Sequence, residues 1–145
     1  MTKPIWAIVA NGSVARVLER SPGQPAQWTE KECLTHPQSR QQGTGGVHQP
    51  PGHSIAGRSG LAPRSDARDH DRQAFAQQVA HTVGAAAAAH QISGLVVFAS
   101  NPFLGDLLGH LDDASRKLVS ASHPLDLTSL PLPELVQRMH GDFGV

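Results

Sequence analysis

Between residues 40 and 68 the chain carries four arginines, Arg40, Arg58, Arg64 and Arg68, against one acid, Asp66. Four cations and one anion leave a local surplus of three positive charges, the kind of balance that faces phosphate or acidic partners. His48 and His53 lie in the same stretch, and Gly45-Gly46 supplies backbone with no side chain to hold a partner away. The run QQGTGGVHQPPGHSIAGRSG, from Gln41 to Gly60, has only two aliphatic residues, Val47 and Ile55. Neither a helix nor a central strand would carry it. A loop from about His36 to about Arg68 is therefore expected, and loops this long inside compact domains are usually functional or disordered.

Other combinations of reactive residues are weaker. His36, His48, His53 and His70 with Asp69 or Asp71 contain metal-binding donor types, but no His-x-x-x-His pair places two rings on one helix face. His81 and His90 are nine residues apart and out of helical register. No metal and no cofactor are expected. Cys33 falls in a strand pattern, where a small core residue is the ordinary reading. GHSIAG around Ser54 lacks the strand before and the helix after that a nucleophile elbow requires. Asn101 follows an apolar strand and precedes a helix. It can cap that helix or, with the free N–H groups there, hold an anion in the crevice at the strand's carboxyl end.

These residues need a scaffold, and its elements are legible. PIWAIVANG reads as a buried strand ended by a turn at Asn11-Gly12. VARVLER alternates Val14, Arg16, Leu18 against Ala15, Val17, Glu19, as a second strand in a hairpin would. WTEKECL is a third strand, placed at an edge by its charges. DHDRQAFAQQVAHTVGAAAAAHQ reads as the main helix, begun near Asp69 or Asp71, with Phe75, Val79, Val83 and Ala86 at helical spacing. Gly84 is its weak point. ISGLVVFAS is a strand buried on both faces and paired in parallel. NPFLGDLLGHLDD is a helix capped by Asn101 with Pro102 at its first position. RKLVSASHPLDL is a last strand, and PLPELVQRMH a terminal helix. The order β-β-β-α-β-α-β-α implies one α/β domain with a mixed sheet.

Length and composition agree with that. The chain has 145 residues, 39% of them hydrophobic, with 12 basic and 12 acidic residues balancing. A single domain with a real core is the expectation, and a chain that is polybasic throughout is excluded. One cysteine excludes an internal disulfide. The short apolar run at the start is unlike a signal peptide, and no stretch is long enough to span a membrane, so a cytoplasmic location is expected.

Taken together, IVANGSVARVLE, GRSG, FAQQVA, LVVFASNPFLGDLLGHL and LDLTSLPLPEL resemble the host attachment protein family over most of the chain. Asn11 stands where that family usually has aspartate, while Ala15 and Arg16 are kept. Ser100, Asn101 and Pro102 replace an Ala-Pro break with an arginine, and a basic residue further along that helix is missing. The family is similar to the central domain of archaeal and eukaryotic class 1 peptide-release factors, which implies a ribonuclease-H-like α/β architecture. In those factors the equivalent loop carries Gly-Gly-Gln and promotes peptidyl-tRNA ester hydrolysis. Here Gly45-Gly46 and Gln49 offer the same parts, but Val47 and His48 intervene. A non-enzymatic role is expected, in which the basic Gln41–Arg68 loop meets RNA, the ribosome or tRNA through Arg58, Arg64, Arg68 and His48, with a protein partner for the loop as a further reading. The alternative is a peptidyl-tRNA hydrolase using Gly45, Gly46 and Gln49.

Overall fold

A computed structural model describes residues 3–23, 27–36 and 61–145, with side chains from residue 66 onward in the last range. β1 (Ile5–Ala10) and β2 (Val14–Arg20) form an antiparallel hairpin in which Ala10 faces Ala15 and Ile5 faces Arg20. β3 (Trp28–Thr35) pairs antiparallel with β2, with a register shift beside Val17 and Leu18. β4 (Gly94–Ala99) runs parallel to β1, and β5 (Val119–His123) runs parallel to β4. The five strands lie in the order β3-β2-β1-β4-β5. Trp6–Ala10 and Leu95–Ala99 are buried throughout, as continuous apolar runs in the middle of a two-faced sheet should be. The charged β3 is an edge strand, as its composition implies.

Helices α1 (Leu61–Ala88), α2 (Phe103–His110) and α3 (Asp113–Leu118) cover one face. There Phe75, Val79, Val83 and Ala86 of α1 and Phe103, Leu104 and Leu107 of α2 pack on Ile8, Val17 and Val97. The other face is covered by α4 (Leu132–Phe143), whose Leu135 and Met139 bury Val9, Leu18, Val96 and Phe98. The apolar stripe expected along α1 is the one that packs. Ala76 and Ala80 are buried with it, and their small size lets helix and sheet approach closely.

Besides the last strand, which runs Val119–His123 and leaves Arg116–Leu118 in α3, three boundaries differ from the sequence reading. The helix expected to start near Asp69 starts at Leu61, so Arg64 and Arg68 belong to α1 and not to a loop reaching Arg68. Pro63 lies in the first turn, where a missing N–H costs no intrahelical bond. The polar run after it has no apolar stripe, because Asp66–His70 are all exposed and have no core to face. The second difference concerns Asn101, which is not the cap of α2. Pro102 occupies the cap position after a cis peptide bond, and no side chain caps the helix. The N–H of Leu104 is instead taken by the Ser100 carbonyl at 3.0 Å. The third is the segment expected to form a single helix from Phe103 through Asp113. It breaks at Leu111, and Asp112 caps a separate α3 by accepting the Ser115 N–H at 2.8 Å. Gly84 sits opposite this cap, and a Cβ there would meet Asp112 Oδ2 at 3.4 Å.

Candidate functional site

The carboxyl ends of β1, β3 and β4 share one edge of the sheet with the start of β2. The turn after β1 is closed by Asn11, whose Oδ1 accepts the N–H groups of Ser13 at 2.8 Å and Val14 at 2.9 Å. This local bonding is the reason asparagine suits the position. Its Nδ2 donates outward, to Asp126 Oδ2 at 3.0 Å and Thr128 Oγ1 at 3.2 Å. Thr128 in turn gives its N–H and its hydroxyl to Asp126 Oδ1, at 3.0 and 2.6 Å. Burial pushes the Asp126 carboxyl up, but the bonds from Thr128 and Asn11 outweigh it and hold the group below the usual carboxylate range.

Arg16 lies beneath this turn, buried in an otherwise apolar stretch of β2. Its Nη2 and Nε meet the two carboxylate oxygens of Glu30 at 2.8 and 3.2 Å. Its Nη1 reaches the carbonyls of Thr128 at 3.1 Å and Leu130 at 2.6 Å. Planar guanidinium suits this two-sided bonding better than a point charge would. With Asn11, it fastens the segment between β5 and α4 to the first hairpin. Its charge is already satisfied and is not free for a ligand.

On the helical side of the same edge, Arg72 of α1 bonds Asp106 of α2 through Nε and Asp69 through Nη1, the latter at 3.0 Å. The Asp106 hydrogen bond raises the Arg72 guanidinium further above its ordinary value, against the opposing effect of burial. Gln73 donates to Asp106 at 2.7 Å and meets His110 Nε2 at the same distance. Gly12 lies beside Arg72, whose Cγ would be 3.8 Å from a Cβ at that glycine. Turn, α1 and α2 are thereby held together.

His36 closes the edge below the end of β3. Its backbone N–H bonds the Ser13 carbonyl at 3.2 Å, and its buried ring stacks on Phe75 at 5.5 Å. Asp71 Oδ1 is 3.9 Å from its Nε2, too long for a hydrogen bond. β3 therefore leads into the 37–60 segment at this edge, and α1, which follows the segment, passes the same edge at Asp71 to Phe75. The ten residues of α1 before Asp71 span about 15 Å at 1.5 Å per residue. They project beyond the sheet, and Arg68 on them is exposed and makes no ion pair among the described residues.

Of the sequence-predicted residues, Asn101 is exposed at this edge, in the turn between β4 and α2. Arg68 stands on the projecting part of α1. Arg64 is in that helix, with its side chain outside the described residues, and Gly45, Gly46, His48, Gln49 and Arg58 all lie outside them. Sequence reasoning missed Arg16, Arg72, Asp106, Asp126 and Thr128. A signal existed for Arg16, since an arginine alternating with apolar residues on a buried strand needs a partner. None existed for the other end of the contact, more than a hundred positions away. Among the described residues no group of three or more His, Cys, Asp or Glu gathers as a metal site, and no helix is long and apolar enough to cross a membrane.

No curated protein matches the chain. A family model described as protein required for attachment to host cells matches residues 6–139, from within β1 to within α4. That span takes in both faces of the sheet, the Asn11–Arg16 turn and the segment it fastens. The chain belongs to the family of proteins required for attachment to host cells.

Proposed function

We propose that the domain is a non-enzymatic recognition module, and that the carboxyl edge of its sheet, with the 37–60 segment, contacts RNA on the ribosome. The observation that carries this reading is the exposed stretch Asp66–His70 of α1. It carries Arg68, which makes no ion pair among the described residues, beyond the edge at which β3 leads into the basic 37–60 segment. A helix amino terminus adds the positive end of its dipole to arginines that already favour phosphate. The cations nearby, buried Arg16 and half-buried Arg72, are neutralised by Glu30, Asp69 and Asp106, so they build the surface and leave recognition to cations without such partners. The resemblance to the release-factor central domain points the same way. An effect on attachment then follows indirectly, through translation or regulation of surface components.

Sedimentation of lysate through a density gradient tests this, with and without RNase and at low and high salt. Comigration with ribosomes that is lost with RNase, with salt and in Arg58→Ala/Arg64→Ala/Arg68→Ala is the expected result. A protein that stays at the top under all conditions overturns it. Comigration that ignores salt and RNase would assign the surface to a protein partner instead. Where comigration is seen, a peptidyl-tRNA cleavage assay separates recognition from hydrolysis, with Gly45, Gly46 and Gln49 as the residues to replace.

A further inference from the structure

The opposite, amino edge of the sheet holds a shallow depression of about 640 Å³, open to solvent. It lies between the residues leading into β1, the end of α1 and helix α3. Its floor is apolar, with Ala87 and Ile92 buried and Leu118 half-buried. Its polar lining includes Lys3, His90 and Lys117 and contains no carboxylate. Neither lysine makes an ion pair among the described residues.

The backbone at the depression adds a second, independent observation. His90 has φ 57°, the only positive φ at a non-glycine among the described residues. It ends α1 with a paired cap, in which its N–H bonds the Ala87 carbonyl and the Gln91 N–H bonds the Ala86 carbonyl, both at 3.0 Å. Glycine is the usual residue at this position, because a side chain there is strained. A strained residue in place of glycine is a pointer to function when its side chain lines a depression. The same cap bonds occupy the last carbonyls of α1, which lowers the negative potential the helix end would otherwise present.

We infer that this depression binds a small amphiphilic anion, an apolar body ending in a carboxylate. The apolar floor formed by Ala87, Ile92 and Leu118 receives the body, and Lys3 and Lys117 face the carboxylate, with His90 donating from the rim. This site is separate from the recognition surface proposed above, since the sheet's full length lies between them. Balancing the dipole of α1 is the other role open to the lysines, and the experiment separates it from ligand binding.

Octanoate is titrated into the ¹⁵N-labelled protein and followed by NMR, with octyl glucoside as an uncharged probe of the same chain length. The expected result is saturable shifts confined to the amides of His90, Ile92, Ser93 and Leu118, with octyl glucoside at least severalfold weaker. Lys3→Ala/Lys117→Ala should weaken octanoate about tenfold, as the loss of two partly exposed ion pairs would. His90→Gly should raise the melting temperature, because strain is relieved, and still weaken octanoate. Shifts scattered over the surface, equal binding of the uncharged probe, or full affinity in the double variant would overturn the site. Full affinity in His90→Gly would remove His90 from it. Lysines that serve the helix dipole alone would lower the melting temperature when replaced and leave the titration unchanged.

Discussion

At the carboxyl edge of the sheet Arg16 and Arg72 meet carboxylates, whereas at the amino edge Lys3 and Lys117 meet none among the described residues. The difference follows from burial. Arg16 is 8% exposed and must be paired, since an uncompensated buried charge is costly. The lysines end in solvent and incur little penalty for standing alone. The carboxyl edge uses its charges to hold distant segments together, and the amino edge leaves its charges available. Arg68 belongs with the lysines in this respect, although it stands beyond the carboxyl edge.

The sharpest way to break the comparison is at Arg16. Arg16→Ala strands Glu30 and frees the carbonyls of Thr128 and Leu130, so a loss of about 3 kcal/mol is expected in urea unfolding. A loss below about 1 kcal/mol would mean that the cluster does not fasten the segment. Arg72→Ala removes a pair that is more open to water, its side chain being 25% exposed, and should cost about 1 kcal/mol by the same measurement. His90→Gly is expected to act in the opposite direction, gaining up to about 1 kcal/mol.

Acid sharpens the contrast further. The Asp126 carboxyl is held below its ordinary value of 3.8, so folding favours its ionised form. That contribution is complete above the unfolded value and is lost as pH falls through the lower folded value. Asp126→Asn should therefore flatten the fall in stability on the acid side, followed by thermal melts between pH 5 and the acid limit. An equally steep fall in the variant would place the acid sensitivity elsewhere. The smallest effects belong to the unpaired cations. Arg68→Ala and Lys117→Ala should change stability by less than about 0.5 kcal/mol, while each impairs its own binding assay.

Much of the fold is legible along the chain because its determinants are local. The apolar run of β4 implies a strand with two covered faces, the charges of β3 imply an edge, and Phe75, Val79 and Val83 repeat at the period of a buried helix face. Where periodicity has nothing to register, it fails. Asp66–His70 of α1 are helical yet exposed, so the helix extends back past the point where the apolar pattern begins, and Arg64 and Arg68 read as loop. Leu111 and Asp112 carry the pattern of one helix across a break that only packing against α1 reveals, with Gly84 opposite the cap. Asn101 has the residue type of a cap, but the proline after it takes the capping position.

The candidate site divides in the same way. From composition and order alone came the basic stretch from Arg40 to Arg68, the Asn11-Gly12 turn and the presence of an arginine on a buried strand, all set by neighbours within a few residues. The tertiary structure decided that Asn11 meets Asp126 and Arg16 meets Leu130, across 115 and 114 positions. It also decided that β3 and α1 pass each other at one edge, where His36 stacks on Phe75, and that Lys3, His90 and Lys117 share an open depression at the other. Hydrogen bonds and charges act over a few ångströms in space, whereas sequence patterns register only spacing along the chain. Contacts that depend on strand order and crossover are therefore set when the sheet assembles.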